Sequence, residues 1–398
     1  MKMSIEIRNR GNRPGRAESG FSLVEIMVGL VIGMLAIVVM MQVFALSEGQ
    51  KRTTTGGSDA QQNGSYAMNL LESHVRAAGS GFAIATTPNI LGCPIGGIAA
   101  PAFMAPAPPA ARMIPVLIAD GGGGLSDSIT VVFGTAGGIA NRVSFTAAAA
   151  AGDSAISVAS TFGFNANDLV LAVDQVGVMP AICTIERVTA NPLAVPGPIA
   201  VTPALGVAYS PSSLLLNLGP GPTGAADANA NGPVLTQLAV RNDPAGSTSF
   251  SLAALDMLGR APGAGAPTLL VDNVVNIQAQ YGVDTTLPVA DDVIDAWVEP
   301  TGIWAAAALT PAQIVQIKAI RVGMVVRSGL IEKKTPGGAC TTTTLVPVPL
   351  LAAAAAGTIP AKLATPAMDT TGITDFGCYR YKVFETVIPV RNVIWGSQ

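Results

Sequence analysis

The hydrophobic pattern along the chain falls into three regimes. The first is an unbroken apolar run, Phe21–Leu46, whose only charge is Glu25. Its 26 residues would form a helix of ~39 Å, enough to cross a hydrocarbon core of ~30 Å. The second regime is helical in period. Thr53–Gly57 (Thr-Thr-Thr-Gly-Gly) is a poor helix former and predicts a break or a melted turn. From about Asp59 the period returns. Ala67, Leu70, Leu71, Val75 and Ala78 share a stripe that should pack on a sheet, and Glu72 pairs with Arg76 at i,i+4. Gly79-Ser80-Gly81 ends this helix, and His74 sits beside the stripe as a boundary residue.

The third regime consists of short Val-, Ile- and Thr-rich runs between Gly/Pro-rich connections, which read as strands. Asp127–Phe133 is one strand, and Asp168–Asp174 with Ile182–Thr189 form a pair. In Leu269–Asp284 the alternation of Val275, Ile277, Ala279 and Tyr281 predicts a strand with one buried face. Thr310-Pro311-Ala312-Gln313 predicts a capped helix start. Ile320–Ser328 reads as a central strand and Tyr379–Trp395 as the last, with Pro389 marking an edge or a bulge. Residues 82–125 read as linker and 190–265 as an irregular surface elaboration. The fold class is therefore α+β: a long N-terminal transmembrane and amphipathic α-helix packed on a large antiparallel β-rich C-terminal domain.

Charge changes this picture in two ways. Charged residues are only 12 % of the chain, while Gly (44) and Pro (29) are abundant, so the body is turn-rich and poor in charge. Lys2, Arg8, Arg10, Arg13 and Arg16 precede the apolar run, and only Lys51 and Arg52 follow it closely. The positive-inside bias puts the N-terminus in the cytoplasm and the body outside. Without those basic residues the remainder is acidic and has no footprint for nonspecific nucleic-acid binding.

In an extracytoplasmic body, Cys93, Cys183, Cys340 and Cys378 are disulfide candidates, and their spacing fits no zinc pattern. Three pairings are possible. Sequence order favours Cys93–Cys183 with Cys340–Cys378, and free buried thiols are the alternative. No catalytic motif, cofactor site or metal site is found. The chain has one histidine, and Gly121–Gly124 lacks the Lys and Ser/Thr of a phosphate loop. Asp284, Asp291, Asp292 and Asp295 do not have EF-hand spacing and read as a solvated loop, with Ca²⁺ as the alternative.

Glu25 remains to be explained. An ordinary cleaved signal could end at Val43-Phe44-Ala45, but the run is far longer than a signal core of ~7–15 residues. A plain anchor gives Glu25 no role, although a membrane carboxylate costs ~2.5–3.5 kcal/mol. Gly20-Phe21-Ser22-Leu23-Val24-Glu25, behind a basic leader, resembles the processing motif of type IV prepilins and type II secretion pseudopilins. Gln61-Gln62-Asn63-Gly64 through Arg76-Ala77-Ala78-Gly79, with the three late segments of the body, resembles PilW-type minor pilins.

This resemblance implies a pilin-like fold, with a leader at 1–20, a filament-core helix at 21–46, an amphipathic continuation at 47–80 and a β-rich domain at 81–398. It implies cleavage between Gly20 and Phe21, N-methylation of Phe21, and neutralisation of the Phe21 amine by Glu25. Gly29 and Gly33 form a G-x-x-x-G that permits close helix approach in assembly, with simple composition as the alternative. Implied partners are a prepilin peptidase, an inner-membrane assembly platform, other minor pilins and the major pilin. The implied location is the inner membrane of a Gram-negative bacterium, with the body in the periplasm, and then the pilus or cell surface. The alternative is a minor pseudopilin of a type II secretion system. The leader is long, and Gln42 lies where many major pilins carry a helix proline, which favours a minor subunit.

Overall fold

The structure is a computed structural model. It describes residues 20, 22–83, 90–96, 112–136, 142–174, 183–221, 232–242, 248–258, 267–286, 291–347 and 368–396. The chain divides into two compact units, one through Thr53 and one from Thr54 onward.

The apolar run and the amphipathic stretch form one helix, α1 (Leu23–Ala77). The predicted break at Thr53–Gly57 is absent. Thr53 Oγ1 donates back to the Gly49 carbonyl at 3.1 Å, which satisfies the hydroxyl within the helix. Gly56 is buried, and a Cβ there would lie 3.1 Å from Ser328 Cβ. Packing of the second unit on Gly56 offsets a propensity loss of about 1 kcal/mol. The stripe is as predicted in part and extends N-terminally: Ala60, Gly64, Ala67, Met68, Leu71 and Val75 are buried. Gly79, at φ +82°, turns the chain out of the helix, and its N–H donates to the Val132 carbonyl at 2.8 Å.

The segment expected to be linker instead contributes β1 (Ile95–Gly96) and β2 (Val116–Ala119), followed by β3 (Ser128–Phe133). Six strands then form an insertion: β4 (Arg142–Ser144), β5 (Ala155–Val158), β6 (Asp168–Val173), β7 (Cys183–Val188), β8 (Gly197–Thr202) and β9 (Leu214–Pro220). Their order is β4-β9-β6-β7-β8-β5, and β1 joins β7 in parallel. A bridge between Phe145 and Val158 returns β5 to β4 and closes a small barrel. The barrel has its own core, in which Ile156, Val170, Val188, Ile199 and Leu215 are fully buried. The predicted pair β6–β7 forms, antiparallel.

The chain then resumes beside β3. β10 (Val234–Asn242) pairs antiparallel with it, Val234 opposite Phe133. Residues 134–233 are therefore an insertion between two hydrogen-bonded neighbours. With β11 (Phe250–Asp256) and β12 (Thr268–Asp272) these strands make a five-stranded sheet, β12-β11-β10-β3-β2. The reading of 190–265 as irregular is thus corrected. Its strands β9 to β11 are mostly buried, and buried strands lack the alternation that marks a half-exposed one, whereas β8 buries only Ile199 and Val201.

Asn273, at φ +65°, splits the predicted strand 269–284 between two sheets. After it come β13 (Val274–Val283), β14 (Ala296–Val298), the short helix α2 (Pro311–Gln316), β15 (Ile317–Arg327), β16 (Tyr381–Pro389) and the terminal helix α3 (Arg391–Gly396). The sheet order is β14-β13-β15-β16. β15 is central, as predicted, and β16 is an edge strand that ends at Pro389, with α3 where the strand was expected to continue. β13 is buried along its whole length, so both of its faces are covered rather than one. Thr310 caps α2 in a capping box with Gln313, as its sequence predicts. The architecture is α+β, a long N-terminal apolar helix and a large antiparallel β-rich C-terminal domain.

Candidate functional site

The expected assembly residues lie in the first unit. Phe21, with residues 1–19 of the leader, lies outside the described residues. Ser22 precedes the helix, and its carbonyl accepts from Glu25 N–H at 3.0 Å and Ile26 N–H at 3.1 Å. Glu25 is therefore in the first turn, where a carboxylate complements the positive end of the helix dipole. It is exposed, as is every residue from Ser22 to Glu48. Leu23 is 73 % and Leu46 70 % exposed, so the apolar run has a free surface throughout. Gly29 and Gly33 are one turn apart, and a Cβ on either would meet nothing within 4 Å. Among the described residues, α1 is the one helix long and apolar enough to cross a membrane.

The second unit shows how the helix is held to the sheet. A Cβ on Gly64 would lie 2.0 Å from Phe384 Cε2, so the β16 ring packs directly on the helix backbone. Lys382 Nζ donates to Gln61 Oε1 at 2.9 Å, and Asn63 Nδ2 donates to the Asp272 carbonyl at 3.2 Å. At the other end, Asn392 Nδ2 donates to the Ala78 carbonyl at 2.9 Å. Gln61, Asn63 and Gly64 of the singled-out Gln-Gln-Asn-Gly stretch thus all serve this junction. His74 is half-buried at the boundary, as expected, with Nδ1 2.9 Å from the Leu70 carbonyl.

On the face of the four-stranded sheet turned away from α1, Gln280 and Arg321 are buried, while Val383 and Val387 of the edge strand β16 are exposed. Arg321 Nη2 donates to Gln280 Oε1, and Gln280 Nε2 to Glu299 Oε1, each at 2.6 Å. Arg321 Nε lies 3.9 Å from Glu385 Oε1, and its guanidinium sits 5.5 Å from the Trp297 ring centroid. Burial lowers the Arg321 pKa, which Glu385 and Glu299 oppose, and burial raises that of Glu299. The chain of groups links β13, β14, β15 and β16, so it fixes their register. Arg327 lies 4.3 Å from the Tyr379 ring centroid and 5.2 Å from that of Phe250, joining this sheet to the five-stranded one.

Two further carboxyls are pushed up by burial: Asp127 to about 8, despite N–H donors from Gly121 and Ala279, and Glu186, inside the barrel, to about 7. Both disulfides form in the pairing that sequence order favours, Cys93–Cys183 and Cys340–Cys378. Asp375 lies beside Cys340 and Cys378, but those sulfurs are bonded to each other.

Of the acidic cluster expected to form a solvated loop, Asp291 is exposed and Asp292 and Asp295 are half-buried, whereas Asp284 is buried. Asp284 is 1 % exposed and accepts from Thr286 and Asp292 N–H at 3.0 and 2.9 Å. Asp295 accepts from Thr285 N–H at 2.7 Å, and Asp292 pairs with the buried Lys318 at 2.6 Å. Sequence reasoning missed Lys318, which no periodicity marks as paired, and the barrel that contains Glu186.

The fold and these contacts define an α+β protein with a membrane-length N-terminal helix whose C-terminal half is welded to an antiparallel sheet. Residues 237–392, from β10 into α3, match the family model described as Type IV Pilus-assembly protein W, PilW. No curated protein matches the chain. The matched stretch contains β16, Lys382 and Phe384, the residues that grip Gln61 and Gly64.

Proposed function

We propose that this chain is a minor pilin acting in type IV pilus biogenesis. The observation that carries the reading is the PilW match over residues 237–392, in a chain whose membrane-length helix holds Glu25 in its first turn. In this reading, a prepilin peptidase removes residues 1–20 between Gly20 and Phe21 and methylates the Phe21 amine. That cationic amine and Glu25 are one helical turn apart, and Glu25 neutralises its own amine or that of a neighbouring subunit. The second arrangement sets axial register and offsets the burial of the carboxylate. Gly29 and Gly33, open on one side of the helix, admit a neighbouring helix.

The subunit resides first in the inner membrane with its body in the periplasm, and meets the assembly platform, other minor pilins and the major pilin. The inserted barrel enlarges the body, which supports a priming or tip position over repeated stacking in a thin filament. Mass spectrometry of the purified protein tests the processing step. The expected N-terminus is N-methylated Phe21, and an N-terminus after Ala45 would make the apolar run a cleaved signal. Immunogold label confined to pilus tips supports the tip position, whereas label spread evenly along pili counts against it.

A further inference from the structure

Most sheet edges of this body are short, irregular or covered. β14 is three residues long, and the stretch of β13 that it leaves open is covered by the loop before β3. Asp127 N–H donates to the Ile277 carbonyl at 2.8 Å, Ile277 N–H to Ser126 Oγ at 3.1 Å, and Ala279 N–H to Asp127 Oδ2 at 2.8 Å. β2 has four residues, and its Ile118 N–H donates to Tyr281 Oη at 2.6 Å. β12 has five, and its pairing with β11 shifts register between Leu252 and Ala253. These are the devices by which natural sheets blunt an edge.

β16 has none of them along its length. It pairs with β15 over nine residues without a shift, from Tyr381 opposite Arg327 to Pro389 opposite Ala319. The hydrogen-bonded pairs are fixed at both ends: Ser328 N–H donates to the Arg380 carbonyl at 2.7 Å, and Val390 N–H to the Lys318 carbonyl at 2.8 Å. Antiparallel pairs alternate, so Lys382, Phe384, Thr386 and Ile388 bond to β15. Tyr381, Val383, Glu385 and Val387 turn their N–H and carbonyl groups outward. Val383 and Val387 are 45 % and 43 % exposed. The charges that could guard this edge are used inside the fold: Lys382 reaches Gln61, and Glu385 faces Arg321. Pro389 guards only the end.

A row of outward backbone donors and acceptors, two residues apart and flanked by apolar side chains, is complementary to one kind of partner, an extended strand. Charge narrows the partner further. Arg391, just past the strand, is exposed and forms no ion pair among the described residues. A second β16 offers it no carboxylate, because the one acid of that strand, Glu385, lies against Arg321. We propose that the outer edge of β16 docks an extended segment of another protein, which adds a strand beside Tyr381–Val387 and sets an acidic residue against Arg391. The proposal does not depend on the pilus reading, because it involves neither Glu25 nor the apolar run.

The test uses the full chain held by α1 in nanodiscs. The probe is a fluorescein-labelled peptide of alternating Thr and Val with Glu at both ends, read by anisotropy, and it should bind the native chain. The same peptide N-methylated on adjacent residues, which blocks both of its edges, should bind at least about ten-fold more weakly. The Val383→Pro, Val387→Pro variant loses two outward N–H groups while keeping its ladder to β15. It should also bind the unmodified peptide at least about ten-fold more weakly, with unchanged circular dichroism. Arg391→Ala, or a peptide with Lys at both ends, should cost about two- to five-fold. Hydrogen exchange of the native chain reads the same edge without substitution. The Val383 and Val387 amides should exchange fast alone and slowly with the peptide, while Phe384 and Thr386 stay slow in both. The proposal is overturned if the peptide does not bind, if the N-methylated peptide, the Lys-ended peptide or the proline variant gives equal affinity, or if Val383 and Val387 are protected before peptide is added. Protection that grows with protein concentration alone would mark a second copy as the occupant and would also overturn it.

Discussion

At the scale of single residues, Gly64 and Glu186 show how side-chain space and proton occupancy hold the body together. Gly64 has no room for any side chain, because its Cβ position lies within 2.0 Å of Phe384. Gly64→Val should destabilise the helix–sheet junction by about 2 kcal/mol or more, read as a lower melting temperature. Phe384→Ala in the same chain should recover part of that loss by vacating the space. Glu186 Oε2 is buried with no hydrogen-bond partner among the described residues, and the carboxyl is held up to about 7. Folding therefore favours the protonated acid. That contribution is complete below the unfolded pKa of ~4.3 and is lost as pH rises through about 7 for Glu186 and about 8 for Asp127. Melting should thus fall from pH 6 to pH 9, with Glu186 contributing about 1 kcal/mol of the loss over that window. Glu186→Gln should flatten that part of the profile, and an unchanged slope would show that Glu186 is not the titrating group.

At the scale of elements, the two disulfides constrain loops of unequal length. Cys93–Cys183 spans 90 residues and Cys340–Cys378 spans 38. Loop entropy assigns about 4–5 kcal/mol to the first and slightly less to the second. The Cys93→Ser, Cys183→Ser variant should lower stability more than Cys340→Ser, Cys378→Ser, measured by denaturant unfolding of the detergent-solubilised chain. At the smallest element, Thr310→Ala removes the capping oxygen of α2 and should cost about 1 kcal/mol. Elements with a strong local signal were legible from sequence: the apolar run, the Ala67–Ala78 stripe, the Thr310 cap, and β6, β7 and β15. Others were hidden by tertiary effects. Gly56 and Gly57 read as a breaker because nothing local reports that Ser328 packs there. β8 to β11 lie in a stretch diluted by Pro, Gly, Ala and Asn, and β9 and β10 are buried on both faces and show little period-two alternation. The Tyr379–Trp395 pattern continues past Pro389 into α3 because an apolar run of that length does not distinguish a strand from a short helix.

At the scale of the whole molecule, the chain combines a bare apolar helix with a body that carries a barrel inserted between β3 and β10. The candidate site was legible to the extent that Glu25 is the single charge in its run and that a Gly-Phe-Ser-Leu-Val-Glu sequence carries the family resemblance. The barrel was not, because its strands pair across long separations, β4 with β9 at Arg142 and Leu216 and β6 with β9 at Leu171 and Leu216, which no local pattern encodes. The central claim is that this helix assembles a pilus and that Glu25 is required for it. The most direct measurement is a strain carrying Glu25→Ala, compared with a clean deletion and scored together for surface pili, twitching and exoprotein secretion. The expected result is loss of pili and twitching in both strains with secretion intact, while the Glu25→Ala protein accumulates normally in the membrane. Normal pili in both strains, or lost secretion with pili intact, would contradict it.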